Sequence, residues 1–147
     1  MKRTDPPVVV TQEFQVSKEI LWEVLVEPDE MRKWFFDNIP DFKPEVGFQT
    51  QFPVSSEGRT FTHLWKVVKS EPLRTLVVNW KFSEYPGDSN VHFIINETET
   101  ACILTLKDEV LEDFPQDIPE FKRESCLGGW NYFIKDRLKN YLLEETD

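Results

Sequence analysis

Between Arg59 and Lys107 the chain repeats one pattern, a bulky apolar residue at every second position followed by a short polar break. The sets are Phe61, His63, Trp65 and Val67; Leu76, Val78, Trp80 and Phe82; Val91, Phe93 and Ile95; and Cys102, Leu104 and Leu106. A period of two puts each set on one face of a β-strand. The breaks at Ser70 to Pro72, Pro86 to Asp88 and Glu97 to Thr100 are too short for a crossover helix, so the strands must form an antiparallel meander. Phe48 to Val54, ahead of a Ser55 to Gly58 turn, supplies one more strand before Arg59 to Lys69.

The flanks of this meander read differently. Val8 to Val16 alternates, with Val8, Val10, Gln12, Phe14 and Val16 on one face, and predicts a half-buried first strand. Ser17 stands where an N-cap belongs, and Ile20, Leu21, Val24 and Leu25 follow at helical spacing. Pro28 suits the first position of a second short helix, Asp29 and Glu30 favour its positive end, and Met31, Trp34 and Phe35 give its apolar face. Asn38 to Gly47, with Pro40 and Pro44, reads as an irregular connection, and acidic Glu109 to Glu120 reads as a loop. A final helix over Phe121 to Leu143 places Leu127, Trp130, Ile134, Leu138, Tyr141 and Leu142 along a stripe that must cover the sheet. Gly128 and Gly129 inside it suggest close backbone approach or an opening. The sum is one α+β domain over residues 1–147, large enough to bury a core without disulfides or metal.

Composition narrows the function. A net charge of −10 repels phosphate backbones and disfavours nucleic acid and anionic membranes as partners. Met1 to Pro7 carries no apolar run, so neither a signal peptide nor a spanning segment is expected there, and the predicted location is the cytoplasm. Cys102 and Cys126 form no CxxC pair and read as small buried thiols. Aromatic residues make up 14% of the chain, so rings must contribute much of the buried surface, whether around a hollow or in a filled core.

Residues able to do chemistry are few. The histidines, His63 and His92, lie in different strands and are phased to opposite faces, so no shared metal is expected. His63 points inward beside Phe61 and Trp65, where a hydrogen-bonded core histidine is the simpler role and a general base the sharper one. Cys126 sits near a helix start, where a thiol can be activated, but a packing role suffices. With no nucleophile elbow, P-loop or dinucleotide glycine fingerprint, the sequence offers no catalytic set, metal site or cofactor site.

Four passages carry a resemblance: SKEILWEVLVEPDEMRKWF (17–35), FKPEVGFQTQF (42–52), SEPLRTLVVNWKF (70–82) and GGWNYFIKDRLKNYL (128–142). Together they resemble the activator of heat shock protein 90 ATPase homologue family, within the START-like (SRPBCC) superfamily. That resemblance implies the helix-grip fold: a curved antiparallel sheet wrapped around a long C-terminal helix, with two short helices after the first strand. It also implies a cavity between sheet and helix. The inward rings are candidates for lining it: Trp34, Phe35, Phe48, Phe52, Trp65, Trp80, Phe82, Phe93 and Trp130, with Ile134, and with His63 and Asn131 as the polar groups. The chain departs from the family at Lys107, Asp108 and Glu109, where many members carry a His and a small residue, and at Trp65 and Lys66, where a Gly is common. The chaperone-gripping N-terminal domain of the eukaryotic co-chaperone has no counterpart in the sequence, so chaperone activation does not follow from the resemblance.

Three functions remain in view, and a non-enzymatic one is favoured. The first is binding of a small lipophilic or aromatic ligand in the cavity. The second is an interaction domain, as a homodimer or a chaperone-associated factor, which exposed apolar patches would favour. The third is a cyclase or hydrolase using His63 or a carboxylate for proton transfer.

Overall fold

The computed structural model describes residues 1–146. Strand β1 (Val8–Phe14) leads into helices α1 (Lys18–Val26) and α2 (Pro28–Trp34). Strands β2 (Gln49–Ser56), β3 (Arg59–Glu71), β4 (Thr75–Phe82), β5 (Tyr85–Glu97) and β6 (Cys102–Glu112) follow in series. A single 3-10 turn (Pro119–Phe121) precedes the C-terminal helix, which runs through α3 (Arg123–Asn131), a π-helical segment (Tyr132–Leu138) and α4 (Lys139–Thr146). All strands pair antiparallel in the order β1-β6-β5-β4-β3-β2, so the meander is intact and β1 returns to flank β6. This is the α+β helix-grip arrangement that the resemblance implies.

Local chemistry sets the helix starts. The Ser17 hydroxyl accepts the Ile20 N–H at 3.2 Å and caps α1, while Pro28 opens α2 without wasting a donor. In α1 the buried face is Leu21, Trp22 and Val24 to Val26, and Ile20 lies off it at 40% exposure, against its place in the expected apolar set. The Trp34 indole donates to the Val24 carbonyl at 2.8 Å, which ties the two short helices together. The C-terminal helix buries Trp130, Ile134, Leu138 and Leu142 in one core cluster with the sheet's Val8, Leu104 and Leu106. Each such aliphatic side chain contributes about 1.5–3 kcal/mol when fully buried. Lys135 donates to the Thr11 carbonyl at 2.8 Å and Arg137 to the Lys33 carbonyl at 2.9 Å, fixing the helix to β1 and α2.

Several boundaries correct the sequence reading. The β2–β3 turn is Glu57–Gly58 alone, both residues with positive φ as a tight two-residue hairpin requires, so Ser55 and Ser56 belong to β2. Pro72–Arg74 makes the next turn, two residues later than expected, and Phe48 lies just outside β2, where its carbonyl accepts the Val67 N–H. Pro86 to Asp88 does not end a strand; β4 turns into β5 at Ser83 and Glu84. Those three residues form a bulge opposite Lys81, and Pro86 precedes the point where β6 begins to pair, so its missing N–H breaks no ladder with β6. Gly87 has a φ of +123°, and a Cβ built there would come within 2.2 Å of the Phe114 ring. Glu109 to Glu112 continues β6 rather than starting a loop, with its ends paired to β5.

The C-terminal helix differs too. It begins at Arg123, because Phe121 closes the 3-10 turn, and Leu127 is 39% exposed. Tyr141 is half-buried, with its hydroxyl on Glu30. Among the described residues nothing beyond the helix's own backbone and the chain neighbours lies within 4 Å of a Cβ added at Gly128 or Gly129, so these glycines serve no close approach. Among the described residues no helix is long and apolar enough to cross a membrane.

Candidate functional site

Two apolar clusters meet under the C-terminal helix. The larger runs through the sheet and all three helices; the smaller is Phe61, Phe114 and Phe121. Between them lies a pocket of about 370 Å³. Its floor is the sheet, through Val54, Phe61, His63, Trp80, Phe82, Ser89 and Asp108. Its walls are Phe35 and Phe36 after α2, Phe114 and Phe121, and Trp130 and Phe133 of the C-terminal helix. Ser125 and Gly129, both exposed, form part of its rim on α3. Gly129 is thus at an opening.

Of the side chains that the sequence nominated, Phe35, His63, Trp80, Phe82 and Trp130 line this pocket. Trp34, Trp65 and Phe93 pack instead around a void of about 10 Å³ on the far side of Phe35 and Trp80. Phe52, the cross-strand partner of His63, stacks on it at 5.0 Å on the same face of the sheet without lining the pocket, and Phe48 packs edge-on to Phe42. Ile134 is buried in the core, and Asn131, next to Trp130, is half-buried and lines neither space.

Sequence reasoning missed Asp108. The alternation of Cys102, Leu104 and Leu106 carries one step further, so Asp108 also points inward, and it pairs in register with Val8 and Val91. It is 7% exposed. The Trp130 indole donates to its Oδ2 at 3.0 Å and the Cys126 thiol to the same oxygen at 3.4 Å, while Oδ1 has no partner among the described residues. Burial raises the Asp108 carboxyl above the ordinary carboxylate range, against the two hydrogen bonds that lower it. Burial, with the Asp108 charge beside it, also pushes the Cys126 thiol far up, so the helix start does not activate it. Phe114 was missed because it sits in what reads as an acidic linker, and Phe121 because it reads as the first residue of the final helix, outside its apolar stripe.

The other polar groups of the wall are already engaged. His63 Nδ1 lies 3.0 Å from the Phe61 carbonyl, which assigns the proton to Nδ1 and the lone pair to Nε2. Burial lowers the His63 pKa to about 4, so at neutral pH the ring is uncharged and a weak base. The Ser89 hydroxyl donates to the Trp80 carbonyl at 3.0 Å. Glu120 accepts from Arg59 at 3.0 Å and Ser56 at 2.8 Å, and the Arg59 hydrogen bond holds its carboxyl below the ordinary range. His92 lies on the opposite face of the sheet against Glu109, at 3.4 Å. Among the described residues no three His, Cys, Asp or Glu side chains converge as a metal site would require.

The same fold occurs in known structures. DynU16, a putative protein in the dynemicin biosynthetic locus, superposes with a TM-score of 0.73 at 22% identity over 94% of this chain. That match covers 47% of DynU16, so this chain spans about half its length. MLL2253 from Mesorhizobium loti matches at 28% identity and a TM-score of 0.72, over 96% of this chain and 98% of its own. The Aha1 dimer from Colwellia psychrerythraea, a solution structure, matches at 18% identity and a TM-score of 0.69, over 92% of this chain and 95% of its own. Among curated proteins none matches the sequence. The family model described as activator of Hsp90 ATPase homolog 1-like protein matches residues 15–143. With that match spanning both short helices, strands β2 to β6 and the helix that closes over them, this START-like chain belongs to the activator of Hsp90 ATPase homolog 1-like family.

Proposed function

We propose that this chain binds a small lipophilic or aromatic molecule in the pocket between the sheet and the C-terminal helix. The observation that carries this reading is the ring-walled space of about 370 Å³, within the range of roughly 300–1,000 Å³ typical of small-ligand sites. Affinity comes from burying the ligand against Phe35, Trp80, Trp130 and Phe133, and orientation from the few polar groups among them. A proton-transfer enzyme is less well supported, because the His63 ring is a poor base at neutral pH.

The uncharged dye N-phenyl-1-naphthylamine tests this. Its fluorescence should rise on titration with saturable, one-to-one stoichiometry. Gly129→Trp, which puts an indole at the rim, should abolish that rise while leaving the circular dichroism spectrum unchanged. A rise that never saturates, or that survives Gly129→Trp, would sink the reading.

The Colwellia relative favours a second reading, a homodimer. The outer edges of β1 and β2 have no strand beside them among the described residues, and such edges can pair with another copy. Sedimentation equilibrium decides it: a mass of one chain at all loading concentrations rules the dimer out.

A further inference from the structure

We infer that the occupant of this pocket is a lipophilic amine, its aromatic body held by the ring walls and its ammonium group held by Asp108. The inference rests on the ligand-binding reading above and adds the ligand's charge. Three observations carry it.

First, the pocket wall contains no lysine or arginine, and its one cation, the Met1 amino group, already donates to the Phe121 carbonyl at 2.8 Å, whereas it contains two carboxylates, Asp108 and Glu120. An anionic head group would meet two like charges and only this already engaged cation, which disfavours fatty acids and phosphates.

Second, the two carboxylates are not equivalent. Glu120 is matched by the Arg59 guanidinium, which reaches both of its oxygens, at 3.0 and 3.3 Å. Asp108 has no cationic partner: its Oδ2 takes the Trp130 and Cys126 donors, and its Oδ1 is buried with none. A buried carboxylate oxygen without a donor is costly, and an ammonium N–H is the group that satisfies both its charge and its open acceptor site.

Third, the rings around Asp108 suit a cation. Trp130, which donates to Asp108, stands edge-to-face with Trp80 at 5.5 Å and close to Phe35 at 5.8 Å. Aromatic faces attract ammonium groups and gain more when water is excluded. A chain charge of −10 draws cations toward the molecule before they reach the pocket.

The test uses three probes of one shape, 1-naphthylmethylamine, 1-naphthylmethanol and 1-naphthoic acid, each titrated calorimetrically into the full chain at neutral pH. The amine should bind about ten- to a hundredfold more tightly than the alcohol, the worth of one charged hydrogen bond, and the acid should bind most weakly. In Asp108→Asn the amine should fall to the affinity of the alcohol. Glu109→Gln, which removes the neighbouring charge on the opposite face, should keep the amine preference. If the alcohol binds and the amine binds no better, or if the preference survives Asp108→Asn, the assignment of Asp108 is overturned while the pocket reading stands. If none of the three binds, both fail. If Asp108→Asn does not fold, the wild-type ranking still decides the ligand's charge, and Glu120→Gln, which should keep the amine preference, separates Asp108 from the other carboxylate of the wall.

Discussion

Burial holds the His63 pKa at about 4, while an unfolded chain titrates the same ring near its ordinary 6.5. Below about pH 6.5 the unfolded state therefore binds a proton that the folded state does not, and stability falls as pH drops toward 4. A gap of this size corresponds to about 3 kcal/mol once both states are protonated. The groups facing the ring are the Phe61 carbonyl and, more distantly, Glu84; both favour the protonated form, but less than burial opposes it. His63→Gln keeps an N–H donor for the Phe61 carbonyl and cannot titrate. Urea midpoints measured at pH 7, 5.5 and 4.5 should decline less steeply for this variant than for wild type, and parallel slopes would show that His63 does not titrate as described. Asp108 runs the other way. Its raised carboxyl stabilises the folded state when protonated, a contribution complete below the unfolded carboxylate pKa and lost as pH rises through the folded one.

The two helix glycines and the strand glycine make opposite demands. Gly128 lies in an α-helix with open space where a Cβ would be, so Gly128→Ala should raise stability by about 0.5–1 kcal/mol through helix propensity alone. Gly87 has both a positive φ and the Phe114 ring over it, so Gly87→Ala should cost about 1–3 kcal/mol, and urea midpoints check both changes. The strand faces were legible in the sequence because bulky residues at period two admit one phase: Phe61, Trp65 and Val67 point inward as expected. Boundaries were less legible because proline and glycine mark a bulge as readily as a strand end, and Pro86 and Gly87 mark a bulge. The closing helix shows a third limit. Trp130, Ile134, Leu138 and Leu142 recur every four residues, which in a regular α-helix drifts by about 40° per step, and a π-helical segment accompanies their shared inward face. Leu127 fits the expected stripe by spacing but precedes that segment, and it faces solvent.

At the scale of the molecule, what the sequence could not supply was the division of its rings into two clusters with a space between them. Trp65 and Trp80 alternate inward with equal clarity, yet only Trp80 reaches the pocket, because Phe35 stands over Trp65 at 5.7 Å and separates it from that space. Asp108 was hidden for another reason, since a charged residue at an inward position reads as the end of a strand until the pairing with Val8 and Val91 is seen. Closing this space with a ligand joins the rings of the C-terminal helix, the sheet and the Phe114–Phe121 segment into one buried body. Binding must then stabilise the whole fold, because a ligand that engages only the folded state shifts the unfolding equilibrium by mass action. At a hundredfold excess over the dissociation constant this amounts to about 2.7 kcal/mol, or a rise of about 5–10 °C in Tm for a chain of this size. A thermal melt with N-phenyl-1-naphthylamine at that excess should show the rise in the wild type and none in Gly129→Trp. An equal rise in both proteins would place the dye elsewhere on the surface and remove the pocket as the binding site.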